Sequence, residues 1–172
     1  VDAAGDYEMA LLVLIETTEH LLRAQRPADT IAAVEAMAKY ADLRDLAVET
    51  GRVHAVMAEL LFQHGQIAPS IERLIQAFNA YMDEGRLAEA VACVSRGAHI
   101  AHMEVSPVDA VSMHEAVIEM ASQLDRSFES ERMIVKHQLL LSTSKVYEQD
   151  LKRAHELATQ GYERAQANGH VD

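Results

Sequence analysis

Nine histidines are the residues best equipped for chemistry in this 172-residue chain. His99 and His102 stand three apart, with Glu104 following, so a helix would turn both rings in neighbouring directions. Zinc needs three or four ligands, each oriented by a further hydrogen bond. The sequence contains no HExxH and no Glu-x-x-His of the kind that builds di-iron helical bundles. The expectation is no bound metal and no cofactor, with His99 and His102 at a surface or interface. His20, His54, His64, His114, His137 and His155 fall about one to a helix and are expected to be solvated. Glu16, Glu19 and His20, like His114, Glu115 and Glu119, read as wet helix faces. Cys93 falls in an apolar stripe with no histidine near it in sequence, which makes it a buried thiol rather than a nucleophile. Gly-rich phosphate loops, GxSxG and basic-aromatic stripes are all missing from the sequence. No residue is assigned a catalytic role, and no enzyme is expected.

The elements that must carry these side chains are helical. Ile67, Ile71, Leu74, Ile75, Phe78 and Met82 step by three and four, which defines one helix face. Leu87, Ala90, Val91, Val94, Ala98 and Ala101 repeat the pattern, as do Ala110, Met113, Val117, Met120 and Leu124. Val53, Val56, Met57, Leu60 and Leu61 mark a shorter helix. No stretch alternates apolar and polar residues between hairpin signals, so no sheet is predicted. Pro27 can open a helix, since a first-turn N–H needs no partner. Gly51, Gly65 and Gly85 are read as left-handed stops at helix ends. Ser106-Pro107-Val108-Asp109 reads as an N-cap, a proline and a first-turn acid. Helices are expected at about 6–25, 28–50, 52–64, 67–83, 86–103, 107–124, 127–146 and 149–168.

Composition narrows the function classes. Fifteen Lys and Arg against 27 Asp and Glu give a net charge of −12, which repels nucleic-acid backbones and anionic membrane surfaces. Hydrophobic residues at 49% and charged ones at 24% argue against disorder. One cysteine excludes an internal disulfide and points to a reducing, cytoplasmic compartment. The longest apolar run, Met9 to Ile15, is far short of the roughly 20 residues that span a bilayer. Asp2, Asp6 and Glu8 stand where a signal peptide would be basic. The chain starts on Val1 and stops on a polar tail after a helical pattern, so a piece of a longer protein is expected.

Helix starts near 66, 86, 107, 127 and 148 beat at about 20 residues, so two helices make a unit of about 40. One hairpin cannot bury both apolar sides, and stacked hairpins share a continuous core. The fold class expected is an all-α α-solenoid of antiparallel hairpins, about seven to nine helices, with residues 1–172 as a single domain. Gly5-Asp6-Tyr7-Glu8-Met9-Ala10-Leu11 resembles the inter-helix turn of a tetratricopeptide (TPR) repeat. Gly85-Arg86-Leu87-Ala88-Glu89-Ala90-Val91 resembles it too, with Asp150-Leu151-Lys152-Arg153-Ala154 and Gly65-Gln66-Ile67-Ala68-Pro69-Ser70 as further instances. Ala10, Ser70, Ala90 and Ala154 take the small position where helices cross. The consensus Trp is missing, and most units are nearer 40 residues than 34. Long repeats of this sort resemble those of large bacterial signalling and transcription-regulatory proteins. That resemblance implies a non-catalytic module binding a protein or peptide partner. The alternative is a ligand- or peptide-sensing domain that controls a separate cyclase, ATPase or DNA-binding output domain. Repeat ends are left uncovered, and Met9 to Ile15 is apolar in every direction, so a homodimer through the N-terminal helix is also expected.

Overall fold

The structure is a computed structural model, and it describes residues 50–169 together with 13, 16–18, 20, 21, 23, 24, 29, 32 and 33. The Met9–Ile15 run, the turn at Gly5–Leu11 and most of the two helices expected before residue 50 lie outside the described residues. Every described element is a helix or a turn. The helices are α1 (Thr50–Gln63), α2 (Ile67–Asp83), α3 (Leu87–Ile100), α4 (Val111–Ala121), α5 (Phe128–Tyr147) and α6 (Leu151–Ala167), and a π-helical turn, Ala101–Val105, extends α3. The chain divides into two compact units, residues 1–85 and 86–172.

In the first unit α1 packs along α2. Gly65, at φ +71°, makes the turn between them, and the Gly65 and Gln66 N–H groups bond back to the Phe62 and Leu61 carbonyls at 2.9 Å. This is the left-handed stop expected there. The buried face of α2 is Ser70, Leu74, Ala77 and Tyr81. It is rotated from the face the apolar periodicity selects: Leu74 belongs to both, Ile67, Ile71 and Phe78 are half-buried, and Ile75 and Met82 are exposed. Small side chains decide the matter, because Ser70 and Ala77 let α1 come close. The Ser70 hydroxyl donates to the Ala58 carbonyl across the crossing at 2.7 Å. Gly51 corrects another expectation. It lies inside α1 rather than ending a helix, and a Cβ there would stand 2.8 Å from the Tyr81 ring.

In the second unit α3 packs on α4, α4 on α5, and α5 along α6. Val91, Ala98, Val117, Ala121 and Ile134 form its core, with Leu87, Met113, Met120 and Leu124 packed around them. These are largely the apolar phases read from the sequence. Cys93, on α3 outside this cluster, is buried too, and burial pushes its thiol up to about 11. Ser106 accepts from the Val108 N–H at 3.2 Å, but residues 107–110 form turns and α4 begins only at Val111. Ser127 opens α5 through a capping box with Ser130, an arrangement with two reciprocal hydrogen bonds. Gln149, at φ +63°, closes α5 onto α6, and the Asp150 side chain then caps α6 through the Arg153 N–H at 3.0 Å.

The turns share one geometry. Gly65, Gly85 and Gln149 have φ of +71°, +70° and +63°, and the residue after each has φ −87°, −92° and −86° with ψ 73°, 68° and 71°. Gln149 occupies a backbone region where a Cβ is strained. Gln149→Gly should therefore raise stability by about 0.5–1 kcal/mol, read as a higher urea midpoint. Ala90 is fully buried and Ala88 exposed. Ala90→Trp should lower the melting temperature strongly, since overpacking costs about 1–3 kcal/mol or more, while Ala88→Trp should leave it nearly unchanged.

Candidate functional site

Three of the nine histidines meet inside the second unit. His114 on α4 and His137 on α5 are fully buried, and His102 on the π turn is 7% exposed. The His137 and His114 Nδ1 atoms are 2.8 Å apart, and His114 Nε2 lies 3.2 Å from His102 Nδ1. The rings are tilted, with centroids 5.0 and 5.2 Å apart. Ser95 on α3 closes one end, its Oγ 2.8 Å from His137 Nε2. At the other end Ser144 Oγ lies 3.4 Å from His102 Nδ1 and donates to the Leu140 carbonyl at 3.2 Å. Hydrogen-bonded side chains thus run from α3 through α5 and α4 to the π turn.

Local helix geometry puts each ring there. His114 shares the buried stripe of Val117 and Ala121 on α4 and of Ala110 just before it, and His137 shares Ile134, Leu141 and Ser144 on α5. His102 sits on the wider turn closed by the Ser106 N–H to the Ala101 carbonyl, 2.9 Å. The structure therefore corrects the expectation that His114 and His137 are solvated and that His102 is a surface or interface residue. His99 is half-buried, and its Nδ1 atom is buried without a hydrogen-bond partner. His20, His64 and His155 are exposed and His54 is half-buried. Among the described residues no group of three His, Cys, Asp or Glu is arranged to hold a metal ion.

Between neutral imidazoles each hydrogen bond needs one N–H and one lone pair. The column satisfies this in two opposite senses. In one, Ser95 donates to His137, His137 to His114, and His114 to His102. In the other every proton lies on the opposite partner. Burial first, then the neighbouring imidazoles and Lys136, push His114 down to about 4 and His137 down to about 3. Burial also lowers His102. An unfolded histidine titrates near about 6.5. The folded values are lower, so the stability tied to neutral rings is complete above the unfolded value. It falls as pH drops from there towards the folded values.

Ser95, His137 and His114 stand in the order nucleophile, base, orienting group. The chemistry does not follow the order. Ser95 is 8% exposed in mid-helix, where its backbone N–H groups belong to the α3 ladder and offer no oxyanion donors. An imidazole pushed to about 3 is also a poor base near neutrality.

A cleft of about 390 Å³ opens elsewhere in this unit, floored by Ala121, Leu124, Ile134 and Ala167. Its wall is Glu131, 6% exposed, whose carboxylate accepts from Arg164 Nε at 2.6 Å and Asn168 Nδ2 at 3.2 Å. Arg126 Nε adds a contact at 3.1 Å. The Arg164 hydrogen bond leads in holding the Glu131 carboxyl below its usual value.

Antiparallel helices joined by one recurring left-handed turn define the class: an all-α fold of TPR-like helical repeats. BtubC (BKLC) from P. vanneervenii superposes at a TM-score of 0.85 with 10% identity, over 96% of this chain and 67% of that one. Two structures of a putative kinesin light chain from Podosopora anserina, described as nearly identical TPR-like repeats, are 17% identical. They give TM-scores of 0.46 and 0.44, over 94% and 92% of this chain and 97% and 96% of theirs. No family model and no curated protein matches the sequence.

The two serines should differ in weight. Ser95→Ala leaves His137 Nε2 buried with no partner, which costs about 1–3 kcal/mol. Ser144→Ala leaves His102 Nδ1 still bonded to His114 and should cost less, a difference measurable as urea midpoints at pH 8.

Proposed function

We propose that this chain is a non-catalytic protein-interaction module that binds a helix or extended peptide along α5. The observation that carries the reading is a stripe of exposed apolar side chains on that helix. Phe128, Leu139 and Val146 are 60%, 45% and 51% exposed. They stand 11 and 18 residues along, about three and five turns, so they line one face. Val135, in the same line, is covered. Exposed apolar side chains in register are what an amphipathic partner packs against. TPR-like repeats as a class support such a role. The larger setting we propose is a bacterial signalling or transcription-regulatory protein, on the resemblance of its turns alone.

A second reading, a ligand-sensing domain, is favoured by the cleft beside Glu131, whose volume is that of a small-molecule site. One experiment separates the two. The chain and a Leu139→Asp/Val146→Asp variant, equal in helix content by circular dichroism, are used to capture partners from lysate of the source cells. Native mass spectrometry records any retained small molecule. The interaction reading expects a protein held by the wild type and reduced at least tenfold on the variant. Identical protein profiles, with a small molecule retained by both, would replace it with the sensing one.

A further inference from the structure

We infer that the Ser95–His137–His114–His102 column is a proton-operated latch: it closes α3, the π turn, α4 and α5 together while it carries at most one extra proton, and a second one forces it open.

The capacity follows from counting nitrogens. The three rings have six. Four of them form the two inner pairs, His137 with His114 at 2.8 Å and His114 with His102 at 3.2 Å. Each inner pair shares one proton. The two outer nitrogens are His137 Nε2, which faces Ser95, and His102 Nε2. A neutral column holds three protons, two inside and one at an end. One further proton fills the other end, and Ser95 Oγ can then accept from His137 while both inner bonds survive. A fifth has no place except an inner pair already occupied: between His137 and His114 N–H would confront N–H, and between His114 and His102 the His102 Nδ1–H could turn to Ser144 Oγ, 3.4 Å away, only by leaving His114. The second extra proton must therefore break a link between helices, whatever the affinity of each ring.

The surroundings give a positive column no relief. The groups acting on the rings are His99 on α3, Lys136 on α5 and the rings themselves, and Arg96 of α3 acts with Lys136 on His99. Glu104 on the π turn and Glu115 on α4 are exposed, and neither is among them. On α6, packed against α5, Arg164 is turned to Glu131. Opening would uncover the core of Val91, Ala98, Val117 and Ile134.

The test follows the intact 172-residue chain between about pH 8 and 5, above the ordinary carboxylate range. Histidine Cε1–H resonances are read by NMR, and the opening constant of α4 and α5 by amide exchange corrected for intrinsic rates. His114→Phe and His155→Gln are compared with the wild type. We expect the His114 and His137 resonances to stay unshifted down to about pH 6 and then to change together with loss of amide protection. Opening takes up two protons if the closed column already carries one and three if it is neutral, so the opening constant rises about 100- to 1,000-fold per pH unit once the pH is below about 6.5. The His155→Gln slope should match the wild type, while His114→Phe, which removes one ring and both inner pairs, should be shallower by about tenfold or more. Independent one-proton titration of His114 and His137 near 6.5 in the closed protein would overturn the latch. So would a wild-type slope of tenfold or less, or an equal slope in His114→Phe. Should that variant not fold, the wild-type resonances and slope decide by themselves.

Discussion

A hydrogen bond between two imidazoles lasts only while one nitrogen keeps its lone pair. In the second unit that condition joins α4 to α5, at 2.8 Å, and α4 to the π turn, at 3.2 Å. Much of the local architecture is consistent with protecting it. Apolar stripes on both sides of the rings exclude the water that would otherwise stabilise the charged form. Ser95 finishes one end at His137 Nε2, and Ser144 Oγ lies beside His102 Nδ1, the nitrogen that also meets His114. A fully satisfied polar network specifies one packing arrangement far better than an apolar core of equal volume. Here it fixes the relative register of α3, α4 and α5.

In the rest of each unit, close approach of small side chains works together with the larger apolar ones. Ala90, Ala98, Ala110, Ala121 and Ala77 are all but inaccessible. Serine serves the same purpose and adds a bond: Ser70 reaches the Ala58 carbonyl across the α1–α2 crossing, and Ser142 reaches that of Ala154 across α5–α6 at 2.8 Å. Both bonds span twelve residues and both lie beside a left-handed turn. The two hairpins thus share a closure despite having little sequence in common, which is how a degenerate repeat keeps its geometry.

What the sequence disclosed follows from what helical period can encode. Gly65 and Gly85 were legible because a left-handed backbone favours a residue without Cβ. Gln149 makes the same turn without that signature. The apolar phases of α3 and α4 were legible too. The face of α2 was not, because Ile75 and Met82 compete with Ser70 and Ala77, and only a neighbouring helix decides for the small residues. The histidine column was hidden for a related reason. His102, His114 and His137 belong to three elements, and periodicity places a residue on its own helix, not against another. A signal was nonetheless present: His114 falls four residues after Ala110 and three before Val117, squarely in the apolar phase, as does His137 between Ile134 and Leu141. A histidine in such a position is buried, and a buried imidazole needs a partner.

The π turn at Ala101–Val105 sets a limit of a different sort. A π turn is an α-helix carrying one residue more than its ladder requires. Loss of that residue would let the ladder close as ordinary α-helix with the chain after it keeping nearly its direction, because the wider turn is what absorbs the extra residue. The change would fall on His102, which sits inside the turn closed from the Ser106 N–H to the Ala101 carbonyl, and on its 3.2 Å contact with His114. Composition is free to drift at exposed Met103 and Val105, and a change of length is felt first at the His102 end of the column rather than in α4.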